Sequence, residues 1–380
     1  MDFAMTTEQK IWMETVNDLM DHKIGRDYCR QVDQERAFPK KVFESVVENG
    51  AIGLMIPEQY GGAGADAIMY AIFTEALAKY GMDIPGCVAM SMFTAMNIVH
   101  YGSEAQKTYY LPRFLKGQVK FSISITEPGA GSDVASVSTS AVLDGEHYVL
   151  NGQKTFASLA HLEDTVIFMA VRTSKAGKKH EGLSVLLVPN DLPGIEMRRM
   201  NTLARRSSGT NEIFLSDVRV PKENLLGPVN GGFKVLMKHL DLERVANAAG
   251  YVGVAQTAIS DALKYAKQRV QFDRPISSFQ VLKHMFADMQ TQVEAARLMV
   301  YRAAWMLKEG LPCTKEVSMA KVFASEVYRK IAADGMQILG GYSMMPEYDM
   351  ERFFRDSMQA TIGGGTSQVQ RTIIAREMGL

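Results

Sequence analysis

Several residue types are scarce in this sequence, and each scarcity excludes a class of protein. Only three cysteines occur, Cys29, Cys87 and Cys313, far apart and with no CxxC pair. An odd, scattered set argues against a disulfide framework. The seven histidines show no paired metal-ligand spacing and no HExxH, so no metal site is expected. Neither sign of charge is in excess: Lys+Arg and Asp+Glu both total 42. Chains that live on nucleic acid or anionic membranes usually carry a basic excess or block, so no nucleic-acid partner is expected. No apolar run approaches the ~18 residues that a membrane span needs. The opening MDFAMTTEQK has neither a basic n-region nor an apolar h-region, which predicts no secretion. The expected location is cytoplasmic for a bacterial source, or the mitochondrial matrix for a processed eukaryotic one.

What is present fits a globular protein: 47% hydrophobic and 22% charged residues. A length of 380 residues exceeds one ordinary core and predicts two or three domains. The 25 methionines suit an irregular helical core, or a pliable ligand pocket.

Periodicity divides the chain into three zones, 1–120, 121–230 and 231–380. The first is helical. Thr6 with Gln9 fits a capping box, and 41–49 and 67–80 read as amphipathic helices. From Phe121 the period becomes two. FSISIT alternates, and STSAVLDGEHYVLNG reads as strand, Asp144-Gly145 turn, strand. Further strands to Pro221 suggest an antiparallel barrel or sandwich. From Gly231 the helical period returns: 235–269, 278–309 and 315–339 are long, and a short helix follows Thr366. Ser277 and Ser278 are suited to cap the second of these, and Gly310 and Gly340 to end the second and third. The lengths are those of a four-helix bundle. The fold class is therefore α+β, with helical, β and helical domains in that order.

Four segments have the residue types for a site. TEPGAGSD (126–133) follows a strand and is glycine-rich, so its backbone permits close approach to a ligand. It is not a Rossmann fingerprint, because no helical pattern follows and the glycine spacing differs. Read alone, such a segment is more often a plain turn. NGQKTFAS (151–158) is a strand with an aromatic, which alone reads as ordinary packing. RVQF (269–272) lies between two long helices, where an arginine also complements a helix C-terminus. GGGTSQ (363–368) sets bare backbone N–H groups before a Thr/Ser cap. That is an anion or ligand-oxygen site, or a flexible loop with a good cap.

Together with QILGG (337–341) and GTSQVQR (365–371), these segments resemble the acyl-CoA dehydrogenase family, in order and over essentially the whole chain. The resemblance implies FAD as cofactor, lying between the strand domain and the last helical domain. Thr126 then matches the residue that meets the flavin ring, and Ser132 the contact to the CoA pantetheine. Phe156 stands where the family usually has Trp, and Ser158 where it usually has Thr; an aromatic face and a hydroxyl remain. The neighbouring subunit would supply Arg269 to the pyrophosphate, with Gln271 and Phe272 beside it, and Gln337 and Gly341 near the adenosine half. Thr366 and Gln368 would meet the adenosine and phosphate portion. Shared FAD implies an oligomer, in this family a homotetramer built as a dimer of dimers. Electron-transferring flavoprotein is the implied acceptor. Arg206, Ser208, Thr210 and Glu212 also resemble family positions of CoA-side or domain-closing contacts, and read equally well as a charged hairpin edge.

The family reaction oxidises an acyl-CoA to the 2-enoyl-CoA. A carboxylate takes the α-proton while the β-hydrogen leaves to the flavin. Most members carry that carboxylate as Glu directly before the Gly-Thr of the last segment, where this sequence has Gly364. A second family arrangement, of the isovaleryl type, places it on the first long C-terminal helix in a D-x-E-R pattern. Leu240-Asp241-Leu242-Glu243-Arg244 matches that pattern, so Glu243 is the expected base. Gly364 still offers a backbone N–H to the enolate oxygen, and Asp241 and Arg244 match positions near the CoA chain. Gly363 and Gly364 remove bulk beside the reacting carbons, which favours a short branched, alicyclic or aryl-substituted acyl group. The Met-rich stretch 90–96 is expected opposite the flavin. The missing Glu at 364 also keeps open a flavin-dependent acyl-CoA desulfinase or oxidase.

Overall fold

A computed structural model describes residues 4–175, 177–238 and 240–380. They pack as two compact units, each discontinuous in sequence: Met1–Gln31, Asp66–Pro85 and Asp241–Leu380, and Val32–Ala65 with Gly86–Leu240.

The first unit is helical. Thr6 caps the helix Thr7–Asp18 in a capping box with Gln9, as its sequence spacing predicts. The helices Ala67–Leu77, Leu240–Gln268, Gln280–Lys308 and Thr314–Leu339 form its core. Small residues recur along Leu240–Gln268 at helical spacing: Ala248, Ala255, Ala258, Ala262 and Ala266 are all buried. That lets backbones approach. A Cβ on Gly253 would lie 2.1 Å from the carbonyl oxygen of Glu75, so these two helices touch through the missing side chain. The Glu75 carboxylate is held by Arg297 Nε at 2.9 Å and Tyr301 Oη at 2.9 Å.

One helix boundary differs from its sequence pattern, two agree with it, and one helix is added. Ser277 and Ser278 do not cap Gln280–Lys308; they lie in a single 3-10 turn, Ile276–Ser278, and Phe279 takes the cap position without a side-chain bond. Gly310 and Gly340 do end their helices, with φ +65° and +59°. An additional helix, Met350–Ala360, precedes the short closing helix Ser367–Glu377. The C-terminal region thus has three long and two short helices after Leu240.

The second unit holds the sheet. Its strands are β1 (Lys120–Ser124), β2 (Ser140–Asp144), β3 (His147–Ser158), β4 (Thr165–Arg172), β5 (Leu183–Pro189), β6 (Ile195–Arg199), β7 (Thr210–Pro221) and β8 (Leu225–Leu226). The order is β6-β7-β3-β2-β4-β5-β8, with β1 also on β4. Of the expected antiparallel barrel or sandwich, a middle β-sheet domain forms but no closed barrel does among the described residues, since β6 and β8 end the path unpaired with each other. Nor is the sheet purely antiparallel: β1 and β2 both meet β4 in parallel. The hairpin β2–β3 forms, but Asp144 pairs with His147. Its two-residue loop is therefore Gly145-Glu146, one position later than the Asp-Gly signal placed it. Gly145 at φ +59° takes the first central position, where type II′ turns require glycine.

Candidate functional site

Within the helical unit the site forms where Leu240–Gln268 passes the loop 363–365. Glu243 lies in the first turn of that helix, half-buried. A Cβ on Gly364 would stand 3.8 Å from Glu243 Oε1 and 3.4 Å from Asn247 Nδ2. Position 364 has φ +64°, a conformation that favours glycine. The two residues singled out as linked in the sequence, 121 positions apart, are thus neighbours. Tyr70, fully buried, has its hydroxyl pushed up by burial and, secondarily, by the charge of Glu243.

The loop is fastened from beneath. Lys321, fully buried, donates to the carbonyl oxygens of Ala360 (3.2 Å) and Gly365 (2.7 Å). Gln370 Nε2 donates to those of Gly364 (3.1 Å) and Gly365 (3.3 Å). Thr366 caps the closing helix by accepting from Val369 N–H. With its carbonyls occupied in this way, the N–H groups of Gly364, Gly365 and Thr366 have no acceptor among the described residues. Beside Glu243, Arg244 is buried and bonds Asp241 at 3.1 Å, and Asp241 also accepts from Thr314 at 2.8 Å. Gln368 is exposed on the closing helix.

Farther along the same unit, a pocket of about 530 Å³ is lined by Tyr265, Arg269, Gln271, Gly341 and Tyr342, among others. Arg269, Gln271 and Gly341 therefore come together around one pocket. The Arg269 guanidinium lies 5.9 Å from the Tyr342 ring centre. Val270–Gln271 and Arg274–Pro275 form a tiny hairpin whose loop is Phe272-Asp273, both left-handed. Phe272 is 86% exposed. Gln337 is exposed and does not line the pocket.

In the sheet unit the two motif segments are knitted together. Thr155 N–H donates to Thr126 C=O at 3.0 Å. Glu127 receives Lys154 Nζ at 2.9 Å, Ser138 N–H at 2.8 Å, Ser138 Oγ at 2.7 Å and Thr139 N–H at 2.8 Å. Burial alone would raise the Glu127 carboxyl; the Lys154 charge and these bonds outweigh it and hold it down to about 2. Composition gave no hint of this buried pair. Its signal was a lysine in the middle of a strand facing a buried glutamate, and the sequence does not show that the two meet.

Phe156 occupies a bulge: Lys154 pairs with Ile213 and Ala157 with Asn211, so two β3 residues face one of β7. The bulge sets Phe156 at φ +59° and leaves its ring 59% exposed. Ser158 is buried, and its carbonyl accepts from Ser122 Oγ at 2.6 Å. Ser132 is exposed on the glycine-rich loop. Ser208 and Thr210 are buried, Arg206 approaches Asp33 at 3.9 Å, and Glu212 accepts from Gln153 at 3.5 Å. Met92 and Met96 are buried in the helix Asp83–Tyr101, and Met90 is half-buried.

Residues 6–118, 122–218 and 230–379 match, in turn, the family descriptions "Acyl-CoA dehydrogenase, N-terminal domain", "middle domain" and "C-terminal domain". The chain is 40% identical over 386 residues to the probable acyl-CoA dehydrogenase YngJ of Bacillus subtilis (strain 168), covering 100% of both chains. It is 38% identical over 371 residues to subunit CarC of the caffeyl-CoA reductase-Etf complex of Acetobacterium woodii, covering 97% of each. Among solved structures it is similar to an acyl-CoA dehydrogenase from Geobacillus kaustophilus, with TM-score 0.95, 33% identity and 100% of each chain covered.

Proposed function

The chain belongs to the acyl-CoA dehydrogenase family, and we propose that Glu243 is the base with which this FAD-dependent oxidoreductase takes the α-proton of an acyl-CoA. The product is the 2-enoyl-CoA. The observation that carries this reading is the meeting of the Glu243 carboxylate with the space left by the missing side chain of Gly364. A thioester α-proton is weakly acidic, so abstraction needs a base and, at the same moment, donors for the enolate oxygen. Glu243 supplies the first. The N–H of Gly364, without an acceptor of its own, supplies one of the second. Asp241, itself held by Thr314, orients Arg244 toward the CoA chain, and Ser132 meets the pantetheine from the exposed glycine-rich loop.

The residues present fit FAD. Arg269 and Gln271 line a pocket with two tyrosine rings and the bare Gly341, where a Cβ would meet nothing within 4 Å; a phosphate and a flat base suit such walls. The Phe156 ring stands free of its sheet at the bulge, with Thr126 and Ser158 close in the same motif pair. Phe272, Gln337, Thr366 and Gln368 complete the set, with 269–272, 337 and 341 acting from the neighbouring subunit of a dimer of dimers. FAD, when bound, supplies the two-electron acceptor for the β-carbon.

A short branched, alicyclic or aryl-substituted acyl group is the substrate, because Gly364 leaves the space beside Glu243 without a side chain; Gly363, contrary to the sequence expectation, makes room for Gln359, whose Nε2 would lie 2.0 Å from a Cβ there. The relative named for caffeyl-CoA supports the aryl case. Electron-transferring flavoprotein takes the electrons, and the enzyme works in the cytoplasm. Its three domains are 1–120, 121–230 and 231–380. Among the described residues no helix is long and apolar enough to cross a membrane.

The test is Glu243→Gln in the FAD-loaded protein, mixed in a stopped-flow instrument with isovaleryl-, cyclohexane-1-carbonyl- and 3-phenylpropanoyl-CoA. Flavin and CoA-thioester binding persist, while flavin reduction falls by about 10³-fold or more. Reduction at near wild-type rate would overturn the assignment.

A further inference from the structure

Among the described residues, Lys321 is a cation with no carboxylate in salt-bridge contact. It is fully buried, and its Nζ spends its hydrogen bonds on two backbone carbonyls, Ala360 at 3.2 Å and Gly365 at 2.7 Å. A buried ammonium is costly without a paired charge, so its position calls for an explanation beyond packing. The carbonyls it holds bracket the loop that carries Gly364. In a trans peptide the C=O and the following N–H point in opposite directions. Drawing the Gly365 oxygen inward to Lys321 therefore turns the Thr366 N–H outward, and Gln370 does the same for Gly365 N–H through the Gly364 oxygen. Two different helices, Thr314–Leu339 and Ser367–Glu377, thus hold one loop by its acceptors, and the N–H groups of Gly364, Gly365 and Thr366 have no acceptor among the described residues.

We propose that Lys321 is a positioning residue for proton abstraction: its buried ammonium fixes the loop 360–366 by two carbonyls, and its charge sets the field in which the Glu243 carboxylate works. The proposal rests on the reading of Glu243 as base. The charged groups that face Lys321 are Arg244 and Glu243 from Leu240–Gln268 and Glu326 from its own helix, the last bonded by Arg371 of the closing helix. Burial first, then Arg244, lower the Lys321 ammonium to about 8, while Glu243 and Glu326 oppose them. The interaction with Glu243 is reciprocal: a positive charge there stabilises the carboxylate that must accept the proton. Deprotonation of Lys321 as pH rises through about 8 removes that charge and weakens both loop bonds.

Lys321→Met and Lys321→Arg, each with FAD content and melting temperature measured, test this. The probe is whichever of the three CoA thioesters above reduces wild-type flavin fastest. Lys321→Met is expected to slow reduction at saturating thioester about 10-fold or more while the half-saturating concentration moves by less than about 3-fold. The acidic limb of its pH–rate profile moves to higher pH, and amide hydrogen exchange over 360–366 quickens. Lys321→Arg restores the charge: its acidic limb is expected to return to the wild-type position, and the fall in rate expected of wild type above about pH 8 is expected to be absent. Should Lys321→Met not fold, that alkaline limb of Lys321→Arg decides alone. An unmoved acidic limb with unchanged loop exchange in Lys321→Met, or a wild-type alkaline fall in Lys321→Arg, overturns the proposal. Glu243→Gln run in parallel separates this from failure of the base reading, which would appear as retained reduction in that variant.

Discussion

Glu243 points its Oε1 to within 3.8 Å of where a Cβ of Gly364 would be, so the side chain absent from one position is answered by a carboxylate from another helix. Restoring Glu at 364 should therefore not restore anything. Its Cβ would be in contact with Asn247 Nδ2 at 3.4 Å, its backbone would be strained at φ +64°, and a second carboxylate would face the first. Gly364→Glu is expected to lose about 1–2 kcal/mol of stability and to reduce its flavin about 10-fold more slowly or worse. A rate above wild type in stopped-flow reduction would contradict this arrangement.

The buried pair Lys154–Glu127 holds the two sheet-unit motifs in one place. Lys154→Met leaves a buried carboxylate without its countercharge, an exchange that costs about 3–5 kcal/mol. Urea unfolding followed by circular dichroism should show the midpoint falling accordingly. A change below about 1 kcal/mol would mean that the pair contributes little.

The same carboxylate gives a pH signature. Its pKa is depressed from 4.5 to about 2 in the folded state, so the unfolded chain binds the proton more readily. The stabilisation is complete above about pH 4.5 and fades as pH falls toward 2. Glu127→Gln should unfold at a lower denaturant concentration than wild type at pH 7, and the gap should narrow steadily between pH 4.5 and 2. A gap independent of pH over that interval would be inconsistent with an ionised Glu127.

Gly253 is a packing requirement. A methyl there would sit 2.1 Å from the Glu75 carbonyl oxygen, which is backbone and cannot swing aside. Gly253→Ala is expected to destabilise by about 2–3 kcal/mol, despite the better helix propensity of alanine. Neutral or improved thermal stability would show that the two helices separate without penalty.

Phe156 shows strain kept at a site. It has a left-handed backbone and an exposed ring, neither of which serves the core. Phe156→Gly is expected to raise the stability of the FAD-free protein by up to about 1 kcal/mol and to weaken FAD binding, as read by titration of apoprotein. A destabilised apoprotein with unchanged FAD affinity would argue that the ring is structural.

Local features were the legible ones. The capping box at Thr6, the glycine ends at 310 and 340, and the cap at Thr366 each depend on residues within a turn of one another, and each formed. The Asp-Gly signal found the hairpin but missed its loop by one residue, because register is decided by partner strands and not by the turn alone. The Ser277-Ser278 cap failed because Pro275 and Ile276 lead into a 3-10 turn first. The parallel contact of β1 with β4 was invisible, since periodicity says nothing about which strand lies beside which. Lys154, Lys321 and Gln370 were passed over for a similar reason. A lone lysine or glutamine on an element reads as a solvated group, and the acceptors of the two lysines lie 27 to 44 residues away in sequence. Gly364 and Glu243 were paired in the sequence because Gly364 departs from the commoner family pattern while Glu243 matches the alternative one, and the structure sets the two side by side.

The end of the sheet path at β6 bears on how the protein behaves when crowded. A five-residue outer strand would ordinarily offer its spare backbone groups to any passing chain. Here Glu196, Arg198 and Arg199 occupy three of the five positions, and Arg198 is paired to Glu196 at 2.7 Å. A foreign strand laid there would have to strip water from fixed charges. At the opposite end β8 is only two residues long, too short to template anything. An unclosed sheet can therefore remain in solution without recruiting others to finish it.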